Sequence, residues 1–166
     1  VTFRTLRNQI SFARRRGDEA AVDAGNRLIL NLAHQALAEP HLDPVLTSDL
    51  AYFAASCEPA AMREPALAVA LAERAVAATA RKWTDALSTL ALAYDRSGEP
   101  ERAIAVMHEA FENPDSWLAS GFARRMHLLL DEHGEPGATE AFLDQLARSR
   151  RTLYPADRNL EGETLL

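Results

Sequence analysis

Residues 83–112 read WTDALSTLALAYDRSGEPERAIAVMHEAFE and predict two helices joined by a tight turn. Apolar residues recur at three- and four-residue spacing on both sides of Gly98-Glu99-Pro100, which is the pattern of two amphipathic helices. Glycine tolerates the backbone of a turn, and proline is accommodated in the first turn of the next helix. This stretch therefore predicts an antiparallel helical hairpin.

The composition of the whole chain agrees with this prediction. Of 166 residues, 32 are Ala and 23 are Leu, whereas Val and Ile together number 9. Ala and Leu favour helices, and the β-branched residues that strands favour are scarce, so the composition argues against a sheet-based fold. Turn-forming residues divide the sequence into four predicted hairpins at about 2–39, 45–81, 83–112 and 114–151, followed by a polar C-terminal tail at 154–166. In the second hairpin the second helix is predicted to run from Pro65 to Arg81.

The hairpins also show internal similarity at a regular period. Trp83 and Trp117 are 34 residues apart, and Gly98-Glu99-Pro100 recurs 36 residues later as Gly134-Glu135-Pro136. This period is typical of helix-turn-helix repeats, which stack because one hairpin cannot bury its own apolar face. We therefore expect a single all-α domain, over residues 1–153, of about four stacked antiparallel hairpins.

Large and small residues alternate along the central hairpin in a specific order: Leu87, Leu90, Ala91, Tyr94, Gly98, Ala103, Met107 and Ala110. This order resembles the tetratricopeptide repeat (TPR), in which small residues let two helices approach and large residues fill the space between them. Residues 50–75, with the loop Cys57-Glu58-Pro59, resemble a bacterial subtype that carries a Cys-x-Pro loop between the helices of one repeat. The resemblance covers residues 46–112 and implies a TPR-like right-handed helical-repeat solenoid.

Charge and cysteine content bound the class of partner. The formal net charge is −6, which argues against nucleic acid or anionic lipid as a partner because both require a positive surface. The single Cys57 cannot form an intramolecular disulfide, and no apolar run approaches the ~18 residues that a membrane span needs. We expect no nucleic-acid and no membrane partner and a cytoplasmic location, with a processed or exported fragment as the alternative.

The sequence contains no recognisable catalytic constellation. No two of its five histidines have the i, i+4 spacing of a helical metal pair, and its glycines form no phosphate-binding loop. Cys57 is interpreted as a half-buried structural thiol of the loop, with a nucleophile as the alternative. We therefore predict that the chain is not an enzyme and that it has no cofactor and no metal site.

The resemblance implies which surface binds a partner, because in TPR proteins the first helix of each hairpin lines a concave groove. The candidate partner-binding residues are Tyr52, Asp85, Ser88, Thr89, Leu92, Asp95, Arg96, Arg124, Arg125 and Leu128. Tyr52 is the candidate apolar anchor, and Arg124 and Arg125 are the candidates for binding a carboxylate. The alternative is that these residues form ordinary solvated helix faces.

The predicted function is a non-catalytic protein–protein interaction or scaffold module whose groove binds a peptide or protein partner that carries acidic groups. Two alternatives stay open at this point. One is a regulatory or substrate-presenting domain of a larger bacterial enzyme or assembly, and the weaker one is an RNA-binding helical repeat. A homo-oligomer and a piece of a larger polypeptide are both compatible with the sequence.

Overall fold

The structure is a computed structural model that describes residues 2–112 and 120–153, with the backbone alone described at residues 120–123, 125 and 149–153. Within these ranges the chain forms eight α-helices and no strand. The helices are α1 (Phe3–Arg15), α2 (Glu19–Ala38), α3 (Pro44–Ser56), α4 (Pro65–Ala78), α5 (Thr84–Arg96), α6 (Pro100–Glu112), α7 (Ser120–His133) and α8 (Ala138–Leu153). The prediction of an all-helical chain is confirmed for these ranges.

Most helix boundaries follow local signals in the sequence. The amide of Ala21 donates to Asp18 Oδ1 at 3.0 Å and that of Leu46 donates to Asp43 Oδ2 at 3.3 Å, so these aspartates cap α2 and α3. The turn before α6 uses Gly98, whose φ of 78° lies in the left-handed region. The predicted start of the fourth hairpin, at about residue 114, lies outside the described residues.

One boundary differs from the prediction. Helix α4 ends at Ala78, and not at Arg81, because Ala80 and Arg81 take left-handed backbone angles with φ of 49° and 59°. Arg81 Nε instead donates to Glu109 Oε1 on α6 at 2.6 Å. This contact links the end of α4 to the neighbouring hairpin.

Each helix packs against the next one along the chain, from α1 to α8. Contacts between alternate helices join α2 to α4, α3 to α5 and α5 to α7. Helices α3, α5 and α7 are therefore neighbours in one row, which we call the first-helix row because each begins a predicted hairpin.

The core combines alanines and large apolar residues. Every side chain of the repeat-like set in α5 and α6 is buried, and Ala91 and Ala103 have no exposed surface. Alanines allow close approach of helices, while leucine and methionine fill the remaining space at the density of a protein interior. The first hairpin joins this core through Phe3 on α1, whose ring meets Phe53 on α3 edge-on at 6.3 Å.

The connection between α3 and α4 is fixed to the rest of the molecule. Asn26 on α2 is buried, and its Nδ2 donates to the Glu58 carbonyl at 2.6 Å. Arg63 Nε donates to the Cys57 carbonyl at 3.0 Å, and the Glu64 amide donates to the Ala54 carbonyl at 2.9 Å. The loop therefore packs as part of the fold.

None of the helices in the described ranges has the length and apolar character needed to cross a bilayer.

Candidate functional site

Helix α3 presents an exposed stripe to solvent. Val45 is 51% exposed, Tyr52 is 45% exposed, and Asp49 lies between them and is also exposed. The spacing i, i+4, i+7 places these three residues on one face of the helix. The opposite face is buried and includes Leu50 and Ala54, so the stripe points away from the core.

Helix α5 adds a narrower stripe. Asp85 and Arg96 are exposed, whereas Ser88 and Asp95 are half-buried. The Asp95 carboxylate lies 3.7 Å from an Arg96 guanidinium nitrogen and 3.7 Å from His133 Nε2 at the end of α7. Four of the predicted residues are therefore accessible at the surface, and Asp95 also lies beside α7.

Two of the predicted residues on α5 are buried, which corrects their assignment as accessible groove residues. Thr89 is 7% exposed and accepts a hydrogen bond from the Ser48 hydroxyl of α3 at 3.3 Å. Leu92 is 8% exposed and belongs to the core. The physical reason is that α5 packs between α3 and α7, which narrows the face that it can offer to a ligand.

Helix α7 presents the third stripe of the row. Arg124, Leu128 and Asp131 are exposed at i, i+4, i+7, and Leu128 has 54% of its surface exposed. The side chain of Arg125 lies outside the described residues, so the predicted arginine pair is represented by Arg124. Leu128 occupies the position that corresponds to Leu92, 36 residues later. It is exposed because, in the described ranges, α7 is the last helix of the first-helix row and no next helix of that row packs beside it.

Sequence reasoning did not identify α1 or Asp49 as part of the surroundings of the α3 stripe. The Arg7 guanidinium lies 5.7 Å from the centroid of the Phe3 ring, at the contact with α3. The pKa of the Asp49 carboxyl is raised, because partial desolvation and the nearby Asp43 disfavour its charge more than Arg7 favours it. Arg7 is thus close enough to act on the α3 stripe, and the repeat of arginine at positions 4, 7 and 14 on one face of α1 is the signal that could have indicated this.

The exposed faces of the row offer apolar and charged side chains for contact with a partner. Apolar contact comes from Val45, Tyr52 and Leu128, and charges of both signs lie beside them. Burial raises the pKa of the Cys57 thiol, which disfavours the reactive thiolate. Among the described residues, no group of three or more His, Cys, Asp or Glu side chains is placed to hold a metal ion.

No family model, curated protein or solved structure matches the chain. The resemblance of residues 46–112 to TPR proteins accordingly stays a prediction.

Proposed function

We propose that the chain is a non-catalytic protein–protein interaction module that binds a peptide or protein partner along the first-helix row. The observation that carries this proposal is that two helices of the row expose large apolar residues, Val45 and Tyr52 on α3 and Leu128 on α7, with exposed charged residues on the same helix faces. Contiguous exposed apolar surface with a polar rim is typical of interaction sites, and the proposal requires the three side chains to form such a surface together.

The arrangement of the helices supports a TPR-like stack, which is part of the same proposal. Contacts of α3 with α5 and of α5 with α7 are those expected when each hairpin stacks on the preceding one. The sequence period of 34–36 residues fits two helices and their turns. In such a right-handed solenoid the first-helix row lines the concave side.

The charges on the row define the kind of segment that it would accept. Asp49 places negative charge beside Val45 and Tyr52 on α3, and Asp85 adds an exposed negative charge on α5, whereas Arg124 places positive charge beside Leu128 on α7. A partner segment would therefore present an apolar side chain to Tyr52 and an acidic group to Arg124. Arginine binds a carboxylate through two parallel hydrogen bonds, which gives this end of the row directional selectivity.

The experiment begins with affinity capture on the wild-type chain and identification of the bound proteins by mass spectrometry. A captured peptide or protein is then titrated calorimetrically against Tyr52→Ala and Arg124→Ala. Each variant should weaken binding by ~1–3 kcal/mol, about 5- to 150-fold, because each removes an anchor from the contact. The identity of the partner also separates a scaffold from a substrate-presenting domain.

Matched controls lie outside the row. Leu143→Ala on α8 removes an apolar residue that is 39% exposed, and Arg27→Ala on α2 removes an exposed arginine. Arg102 on α6 is unsuitable as a control because its guanidinium lies 3.9 Å from the Tyr94 ring centroid and takes part in the fold. Equal losses from the row variants and the controls, with unchanged helicity, would show that the row is not the binding site.

A further inference from the structure

Helix α1 carries a charge opposite to that of the rest of the chain. The first 17 residues contain five Arg and no Asp or Glu, so all 24 acidic side chains lie in the remaining residues. The formal net charge of −6 therefore averages over an uneven distribution. The expectation of no nucleic-acid partner rests on that average and does not apply to the surface of α1 alone.

Four of these arginines lie on one side of α1. All four side chains whose exposure is described there are exposed to solvent: Arg4, Arg7, Arg14 and Arg15. The helical period places them within about 100° of one another around the helix axis and spreads them over about 16 Å along it. We call this surface the basic stripe.

Helix stability does not account for the basic stripe. Arg14 and Arg15 lie in the last turn of α1, where the helix dipole favours positive charge. Arg4 lies in the first turn, where the dipole disfavours positive charge, and that turn has no acidic residue. Arg7 acts on Asp49, but no carboxylate in the described part of the chain lies within ion-pair distance of the other three. The stripe is therefore open to an anion from outside the fold.

A hollow adjoins the basic stripe between α1 and the beginning of α2. Its volume is about 450 Å³, and Asn8, Gln9 and Phe12 are part of its lining. Phe12 is 55% exposed, so its ring is available to a ligand, and the two amide side chains can both donate and accept hydrogen bonds. Asn8 lies one turn after Arg4, so the hollow and the stripe form one continuous surface.

The composition of this surface favours nucleic acid over an acidic protein or a membrane. Phe12 is the one large apolar side chain that α1 exposes, and its other exposed residues are Arg or uncharged polar residues. Interfaces with nucleic acid are more polar and more positively charged than those between proteins. A helix that binds a membrane surface inserts its apolar face, whereas the apolar face of α1 is buried in the core.

We propose that the basic stripe and the adjoining hollow bind single-stranded nucleic acid. The guanidinium groups of the stripe pair with phosphates of the strand, and one base enters the hollow and contacts the Phe12 ring. The base must be unpaired to do so, which is why the ligand is a single strand. Asp18 lines the hollow and accepts the Ala21 amide at 3.0 Å, so its negative charge keeps the phosphates on the stripe.

Fluorescence anisotropy of a labelled oligouridylate of about 12 nucleotides, titrated with the wild-type chain, tests the proposal. Four phosphate contacts on a single strand predict that log K falls with log salt concentration with a slope of about −3. An oligoglutamate of similar length is the competitor, and it should displace the strand at least about tenfold less effectively than unlabelled oligouridylate. Failure to bind the strand at about 25 mM salt with protein up to about 500 µM overturns the proposal. Equal displacement by oligoglutamate overturns the choice of nucleic acid.

Charge variants test the basic stripe. Arg4→Ala and Arg15→Ala should each weaken binding about five- to tenfold at about 50 mM salt and make the slope less negative by about 0.7, because each removes one phosphate contact. Arg148→Ala on α8 changes the net charge equally at an exposed position outside this surface. It should leave the slope unchanged. Equal effects of Arg4→Ala and Arg148→Ala would show that the stripe is not the site.

A neutral variant tests the hollow. Phe12→Ala should weaken binding of the strand about fivefold or more without changing the slope, because contact with a base releases no counterion. The same variant should bind a duplex of equal length as the wild type does, since paired bases cannot enter the hollow. Leu143→Ala on α8, where the leucine is 39% exposed, is the matched control. Wild-type affinity of Phe12→Ala for the single strand would overturn the placement of a base in the hollow.

Discussion

Tyr94 joins three helices through one hydroxyl group. It is 4% exposed, and its hydroxyl donates to Glu73 Oε1 on α4 at 2.7 Å and accepts from an Arg102 guanidinium nitrogen on α6 at 2.6 Å. Burial and the hydrogen bond to Glu73 raise the pKa of Tyr94 to about 12. We expect Tyr94→Phe to remove this polar contact while leaving the ring in place.

At neutral pH the variant should be less stable than the wild type by about 1 kcal/mol, the net value of a typical hydrogen bond. The loss is limited because Glu73 and Arg102 still face each other at 3.4 Å. Truncation of the ring would cost more by leaving a cavity, and the phenylalanine avoids this.

The difference between the two proteins should change with pH. A tyrosine in the unfolded chain ionises near pH ~10, whereas folded Tyr94 holds its proton to a pKa of about 12. The stabilisation that depends on the protonated Tyr94 hydroxyl is therefore fully present below pH ~10. It is lost as the pH rises towards ~12. A pKa rise of this size corresponds to at most about 3 kcal/mol of stability, and solvent screening of the half-exposed Glu73 and Arg102 reduces the expected stabilisation to about 1 kcal/mol.

Urea unfolding of both proteins at a series of pH values from about 7 to about 11.5 measures this change. The free energy of unfolding of Tyr94→Phe should become equal to that of the wild type near pH ~11. The chain has one Lys and three Tyr, so few other groups titrate in this range, and their effects cancel in the difference. Differential absorbance of the phenolate between wild type and variant gives the ionisation of Tyr94 directly. A stability difference that stays constant over the whole range would refute the reasoning.

Two further predictions concern packing. Ala103→Leu should lower the free energy of unfolding by about 1–3 kcal/mol, because Ala103 has no exposed surface and the added carbons overpack the contact of α5 with α6; an unchanged urea midpoint would show that the repeat register is wrong. Gly25→Ala should destabilise the first hairpin despite the better helix propensity of alanine, since its Cβ would lie 2.5 Å from Ile10 Cγ1. The same change should stabilise a chain that already carries Ile10→Ala, and a double-mutant cycle by urea unfolding with no coupling between the two sites would contradict the close approach.

Local signals determined most of the secondary structure. Asp18 and Asp43 cap α2 and α3, Pro44 and Pro65 stand in the first turns of α3 and α4, and Gly98 forms the predicted turn. These features depend on residues within about four positions of each other, so they can be identified in one dimension. The end of α4 was mispredicted because left-handed angles at Ala80 and Arg81 have no signal in those residue types.

The candidate site depended on contacts that the linear sequence does not specify. The helical period could identify Tyr52 and Leu128 as exposed positions, because exposure on one face repeats at fixed angles around a helix axis. It could not identify the burial of Leu92, since that burial depends on α5 having a neighbouring helix on each side.

By itself, the sequence determined the helices of the described ranges, most of their turns and the main apolar face of each helix, because helix propensity, capping and the 3.6-residue period act over a few neighbouring residues. The tertiary structure decided which exposed faces stay open and which polar groups meet. Ser48 meets Thr89 across 41 residues, Tyr94 meets Glu73 across 21, and Arg7 comes close enough to act on Asp49. These contacts exist only once the hairpins have packed, because their geometry depends on the distance and rotation between helices, and the residue pattern within one helix sets neither quantity.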